Sequence, residues 1–217
     1  MSTLTLIIGN KNYSSWSLRP WLMLKQVEAD FSEIGIPLDM PETRNQILRY
    51  SPTGRVPVLQ HGTLRIWDSL AICEYLAEQF PERLLWSQNS AARAIARAVS
   101  AEMHTGFQPL REHLPMNCRA RFPNTGFLSD VQSDIDRITT LWQTCRQQYG
   151  TGGDFLFGHF TIADAMFAPV VSRFVTYGVS LDAVSQAYVE TIWALPSMKQ
   201  WLAEAEVKEE HIETSKP

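Results

Sequence analysis

Ser14, Ser15 and Ser17 form a cluster of hydroxyls around Trp16, and beyond them Leu18, Trp21, Leu22, Lys25 and Val27 recur at helical spacing. Ahead of the cluster lies a short apolar run, Leu4 to Ile8, and then a polar loop, Asn10 to Ser15. Ligands favour this edge of a sheet, where a strand gives way to a helix start. The first turn of a helix presents unpaired N–H groups and roughly half a positive charge, so an anion is stabilised there without a lysine. A thiolate is such an anion. A thiol with a pKa of about 8.5 is mostly protonated at neutral pH, and lowering that value by about two units corresponds to roughly 2.7 kcal/mol of differential binding. One charge-assisted O–H···S⁻ bond together with the helix terminus can supply it. Taken alone, a serine pair before a helix is also what simple capping requires.

Two further segments give context. Arg55-Val56-Pro57 leads into a β-rich run. Proline removes a ladder donor and so belongs at the strand's start, and an X-Pro bond in a tight turn is the usual setting for a cis peptide. Such a bend exposes the Val56 backbone groups to a peptide-like ligand. Asp68-Ser69 opens the next helical segment, where the Ser69 hydroxyl and N–H can hold a carboxylate and Asp68 an ammonium, although capping alone also explains the pair. Thiol niche, peptide edge, carboxylate site and ammonium partner together describe a γ-glutamyl tripeptide thiol. The histidines His61, His104, His113, His159 and His211 show no ligand spacing, and Cys73, Cys118 and Cys145 contain no Cys-x-x-Cys. Neither a metal nor a disulfide framework is expected.

The elements that must position these groups change in texture along the chain. Residues 1–82 mix strands and helices in the order βαβαββα: strands near Leu4–Ile8, Phe31–Ile36, Val56–Gln60 and Leu64–Trp67, with helices after Ser17, over Thr43–Tyr50 and from Asp68-Ser69. Residues 83–90 read as a linker in which Ser87 or Ser90 caps the next helix. Residues 91–217 read as an all-helical bundle, with helices near 91–113, 128–149, 161–175, 181–193 and 197–205, and with a tail from Glu204 that has little to bury. Over 217 residues the chain is 45% hydrophobic and 19% charged with a net charge of −4, which excludes a disordered chain and argues against a nucleic-acid partner. No stretch approaches the roughly 20 apolar residues that cross a bilayer, and the amino terminus lacks a basic leader region, so a cytoplasmic, soluble protein is expected. Phosphate-loop, dinucleotide, nucleophile-elbow and zinc-protease patterns are absent.

Three motifs, Ser14-Ser15-Trp16-Ser17-Leu18-Arg19, Ser51-Pro52-Thr53-Gly54-Arg55-Val56-Pro57-Val58-Leu59 and Ile66-Trp67-Asp68-Ser69-Leu70-Ala71-Ile72, come in an order and spacing that resembles the cytosolic glutathione S-transferases. A fourth, Phe160-Thr161-Ile162-Ala163-Asp164, looks like that family's structural capping box. The serine doublet and Thr105-Gly106-Phe107-Gln108-Pro109-Leu110 look most like the zeta class, which holds the thiolate with a serine and includes maleylacetoacetate isomerases. The resemblance implies a thioredoxin-like amino-terminal domain, an all-helical carboxyl-terminal domain and a homodimer, with glutathione as co-substrate and a small electrophile as its target in detoxification.

By the same matching, Ser14 meets the sulfur with Ser15 as second donor. Val56 and Pro57 hold the glutathione backbone, Asp68 and Ser69 its γ-glutamyl end, Arg55 reaches a carboxylate, and Trp16 and Gln108 lie at the site. Two positions depart from the zeta pattern: Trp16 replaces a cysteine and Asp68 a glutamine. Met103, His104 and Phe107, at i, i+1 and i+4 of the first bundle helix, are expected to line the electrophile pocket. Two alternatives accompany this reading. One is a glutathione-dependent cis-trans isomerase, which requires cationic groups such as Arg119 or Arg173 to face the pocket. The other is a non-catalytic binding protein, favoured if Trp16 fills the pocket.

Overall fold

The computed structural model describes residues 3–207. Its sheet has four strands in the order β2-β1-β3-β4, with β1 (Leu4–Ile8), β2 (Phe31–Gly35), β3 (Val58–His61) and β4 (Leu64–Trp67). β1 runs parallel to β2 and antiparallel to β3, pairing Leu6 with Leu59 and Ile7 with Val58, and β3 turns back on β4 through Gly62 and Thr63. β1 carries apolar residues on both faces, Thr5 apart, because both faces are covered. Leu4, Leu6 and Ile8 join the main core, whereas Ile7 points the other way into a small cluster with Ile36, Ile47 and Val58. Ile47 comes from the short helix α2 (Thr43–Leu48), which covers that second face.

On the main face, α1 (Ser15–Gln26) packs against α3 (Ser69–Gln79) and against α7 (Ile162–Tyr177) of the helical half. Leu18, Trp21, Leu22, Met23 and Leu24 of α1 are almost wholly buried. Pro20, a residue type tolerated best in a first turn, is here the sixth residue of the helix. It has no N–H to offer the Trp16 carbonyl, so the first turn is joined to the rest by one hydrogen bond fewer.

The helical half comprises α4 (Ser90–Thr105), α5 (Gln108–His113), α6 (Ser129–Tyr149), α7, α8 (Ala183–Ala194) and α9 (Pro196–Val207). The segment expected as one helix over 91–113 is broken: Gly106 ends α4, and Phe107 adopts a left-handed φ of 61° before α5 begins. The cap of α4 is Asn89, whose Oδ1 accepts the N–H groups of Ala91 and Ala92, and Ser90 is the helix's first residue. At α7 the box is formed as the motif implies. Asp164 accepts from Thr161 N and Leu156 N, and also from the Thr161 and Tyr188 hydroxyls. The carboxyl-terminal segment remains helical through Val207, so the tail read from Glu204 is ordered at its start. Glu204 pairs with the buried Lys11, which also reaches Glu33 at 2.7 Å and lies between the rings of Trp21 and Trp201. The remainder of that tail lies outside the described residues. Among the described residues no helix is long and apolar enough to cross a membrane.

Candidate active site

The site begins at the carboxyl end of β1, where the chain turns into α1. Ser14 is the residue before the helix, yet its side chain caps no backbone N–H. Its hydroxyl instead donates to Ser17 Oγ at 2.7 Å, and Ser17 Oγ also accepts the Gly9 N–H at 3.1 Å. Both Ser14 and Ser15 border a cavity of about 540 Å³. Simple capping therefore does not account for Ser14. The Leu18 N–H is taken by the Ser14 carbonyl, whereas among the described residues the N–H groups of Trp16 and Ser17 meet no protein acceptor. Donors left open in a first turn are what an anion requires.

The second wall is the turn ahead of β3. Gly54 closes that turn with φ of +66°, a conformation that glycine adopts without strain. The Val56–Pro57 peptide bond is cis. Val56 lies outside the ladder, which starts at Val58, so its backbone groups are not engaged by a neighbouring strand. Val56 and Arg55 border both the serine cavity and a second one of about 800 Å³. This larger cavity ends on Asp68 and Ser69, with Arg44, Pro57, Trp67 and His104 on its sides. Trp16 borders both cavities and divides them without filling either.

At the far end of the larger cavity Asp68 precedes α3 with a positive φ of 78°. Its two carboxylate oxygens have separate tasks: Oδ1 accepts the N–H groups of Leu70 and Ala71, and Oδ2 lies 3.0 Å from His104 Nε2. Ser69 is buried, and its Oγ is approached by Arg19 Nη1 at 3.4 Å. Two guanidiniums lie over the Trp16 ring, Arg19 at 4.4 Å and Arg111 at 4.8 Å, and the ring meets His104 edge-on at 5.3 Å.

The electrostatic balance around this tryptophan is positive. Burial, assisted by the nearby charges of Arg111 and Arg173, lowers the Arg19 pKa to about 9. Burial, again assisted by Arg111, brings Arg173 down to about 10. Arg111 is lowered by burial against the opposing pull of Asp134. Arg173 is tied to the carbonyls of Leu114 and Pro169, and Arg111 to those of Met103 and Gly106. Among the described residues neither of them forms an ion pair. Both border the serine cavity beside Met116. Cations without an ion-pair partner that face a cavity favour an anionic occupant.

Of the residues named from sequence, Ser14, Ser15, Trp16, Arg55, Val56, Pro57, Asp68 and Ser69 are brought together around the two cavities. His104 borders the larger cavity beside Asp68, on the opposite side of Trp16 from the serines. Met103 and Phe107 are packed in the core and border neither cavity, and Gln108 turns to Glu112 on the surface. Arg173 faces the serine cavity, whereas the Arg119 Nε donates to the Ala205 carbonyl beside α9. Sequence reading missed the part of Ser17, although its i, i+3 relation to Ser14 at a helix start is a usable signal. It also missed Arg44 and Arg111, whose positions carry no local mark.

Helix-start hydroxyls and the turn at Val56 thus share one cavity with Arg111, Met116 and Arg173 of the helical half. Comparison with known proteins gives the family. The description "Glutathione S-transferase, N-terminal domain" matches residues 13–79, and "Glutathione S-transferase, C-terminal domain" matches residues 93–204. The chain belongs to the glutathione S-transferase family. It is 33% identical over 173 residues to glutathione S-transferase 1 of Dianthus caryophyllus, covering 77% of this chain and 75% of that protein. It is 34% identical over 170 residues to maleylacetoacetate isomerase of Rattus norvegicus, covering 77% of this chain and 76% of that protein. A glutathione transferase homologue from Burkholderia, solved with bound glutathione, superposes with a TM-score of 0.71 at 26% identity, covering 94% of this chain and 98% of the other. The zeta-like character read from the serine motif agrees with these relatives.

Proposed function

We propose that the protein is a serine-type glutathione transferase that holds glutathione across both cavities and presents its thiolate, beside Ser14 and Ser15, to an electrophile entering the smaller one. The observation that carries this reading is that the two cavities share Trp16, Arg55 and Val56 and end on Asp68 and Ser69 at one side and on the serine pair at the other. A tripeptide laid along Val56 has its γ-glutamyl end at Asp68 and Ser69 and its sulfur at the α1 start. Arg44 and Arg55 are then available to a carboxylate.

The thiolate accepts a hydrogen bond from the Ser14 hydroxyl, which keeps its proton. The contact between Ser14 and Ser17 works in either direction, because a hydroxyl both donates and accepts. When Ser17 turns its proton towards Ser14, the chain Gly9 N–H, Ser17 O–H, Ser14 O–H ends on the sulfur, with each bond strengthening the next. Ser15 and the open Trp16 and Ser17 N–H groups add further donors. In this reading residues 1–82 bind glutathione, residues 91–217 shape the electrophile pocket, and the enzyme works in the cytoplasm as a homodimer.

A second reading, glutathione-dependent cis-trans isomerisation of an anionic alkene, is favoured by one feature: Arg111 and Arg173 face the cavity that holds the serines, and among the described residues no carboxylate forms an ion pair with them. Steady-state assays separate the two. A transferase consumes one glutathione per product, whereas an isomerase turns over many substrates per glutathione. Failure of glutathione to support either reaction would contradict the proposal.

A further inference from the structure

The contact between His104 and Asp68 is the place where the two halves of the molecule meet at the amine end of the glutathione site, and the inference rests on the glutathione reading given above. Asp68 Oδ1 is consumed in capping α3, so only Oδ2 remains for a ligand ammonium. That oxygen already has a donor, His104 Nε2 at 3.0 Å, delivered by the last turn of α4. The imidazole is fixed from several sides. Trp16 meets it edge-on, Arg111 donates to the main-chain carbonyls of Met103 and His104, and the His104 Nδ1 is buried without a partner.

We propose that His104 is a positioning residue for the γ-glutamyl amine, holding Asp68 Oδ2 towards the cavity and making amine recognition depend on whether the imidazole carries a proton. Neutral His104 donates its Nε2–H to the carboxylate and leaves a full negative charge for the ligand's ammonium. Imidazolium cancels that charge and repels the ammonium, so proton and amine compete for one oxygen. The charged groups facing the ring are Asp68 from the α3 start, Arg19 from α1 and Arg111 from α5, with Arg44 and Arg55 across the cavity. Histidine is the residue type among these whose charge ordinarily changes between pH 5 and 8. Burial lowers the His104 pKa; Asp68 opposes this shift, and Arg19 and Arg111 add to it, so the ring is neutral at pH 7.

The test is calorimetric binding of S-methylglutathione, whose blocked thiol cannot titrate, to the full-length protein between pH 5 and 8. The expected result is affinity about tenfold weaker at pH 5 than at pH 7.5, the size of effect that one pKa unit of coupling between proton and ligand produces. In His104→Gln the amide N–H replaces the imidazole donor and cannot titrate, so the slope disappears. The analogue of S-methylglutathione lacking the γ-glutamyl amine binds wild type with no such slope, a readout that needs no variant. A flat wild-type profile, or a slope that persists in His104→Gln or with the amine-free analogue, overturns the assignment while leaving the glutathione reading in place. Absence of binding at every pH overturns both.

Discussion

Ser14 Oγ lies 2.7 Å from Ser17 Oγ, and this one contact decides what the helix-start serine is for. An N-cap serine normally spends its oxygen on the second or third N–H of its helix. Here those N–H groups are left open and the hydroxyl is held by a second hydroxyl, itself anchored by the Gly9 N–H. The arrangement is one of donors waiting for an acceptor.

The first prediction follows from that relay. Ser14→Ala lowers turnover with an aryl halide by tenfold to a hundredfold, the usual range for loss of a single transition-state donor of this kind. Ser17→Ala leaves the Ser14 proton available but unassisted, and its expected loss is about threefold to tenfold. Ser15→Ala falls between wild type and Ser14→Ala. A larger loss in Ser15→Ala than in Ser14→Ala would give the sulfur to Ser15.

Arg111 is predicted to select charge in the electrophile. It borders the serine cavity, lies over the Trp16 ring and, among the described residues, has no ion-pair partner. Arg111→Gln raises KM for a carboxylated aryl halide by about tenfold, one charge-assisted interaction, while kcat/KM for the uncharged aryl halide changes by less than about threefold. Equal losses for both substrates would assign Arg111 to holding the end of α4 and not to the substrate.

Asp164 tests the scaffold that carries α7, and with it Arg173. Burial raises this carboxyl to about 6, although four hydrogen-bond donors oppose the shift. The folded value exceeds the unfolded one of about 3.9, so the folded protein holds the proton more tightly. The corresponding stability is fully present below about pH 4 and is lost as pH rises through about 6. Asp164→Asn, which strands part of the donor set, costs about 2–4 kcal/mol in denaturant unfolding. The gap between wild type and variant narrows from pH 4.5 to pH 7. A gap that widens over that interval would contradict the raised value.

The parts of this molecule that sequence reading reached are those written in neighbouring residues. Leu4 to Ile8 reads as a doubly buried strand because four of its five residues are apolar and they fall on both faces, and the Val56-Pro57 and Asp68-Ser69 pairs carry their own turn and cap chemistry. The break at Gly106 and Phe107 was hidden, since the apolar periodicity passes through an aromatic residue held at positive φ by its surroundings. The helix expected after Ser17 begins at Ser15 and runs through Pro20, because packing of α1 against α3 and α7 outweighs one missing hydrogen bond. The site's charge was least legible. Arg19, Arg111 and Arg173 stand on three helices and converge on the Trp16 region only in the fold, and no local pattern joins His104 to Asp68.

The central claim, that the α1 start ionises a bound thiol, is tested most directly by titrating the ultraviolet thiolate absorbance of glutathione bound to the protein. Ser14→Ala protein and free glutathione serve as references. The account predicts a bound thiol pKa about two units below that of the free thiol, with most of the shift lost in Ser14→Ala. Binding with an unshifted pKa, or a shift that survives in Ser14→Ala, would contradict it.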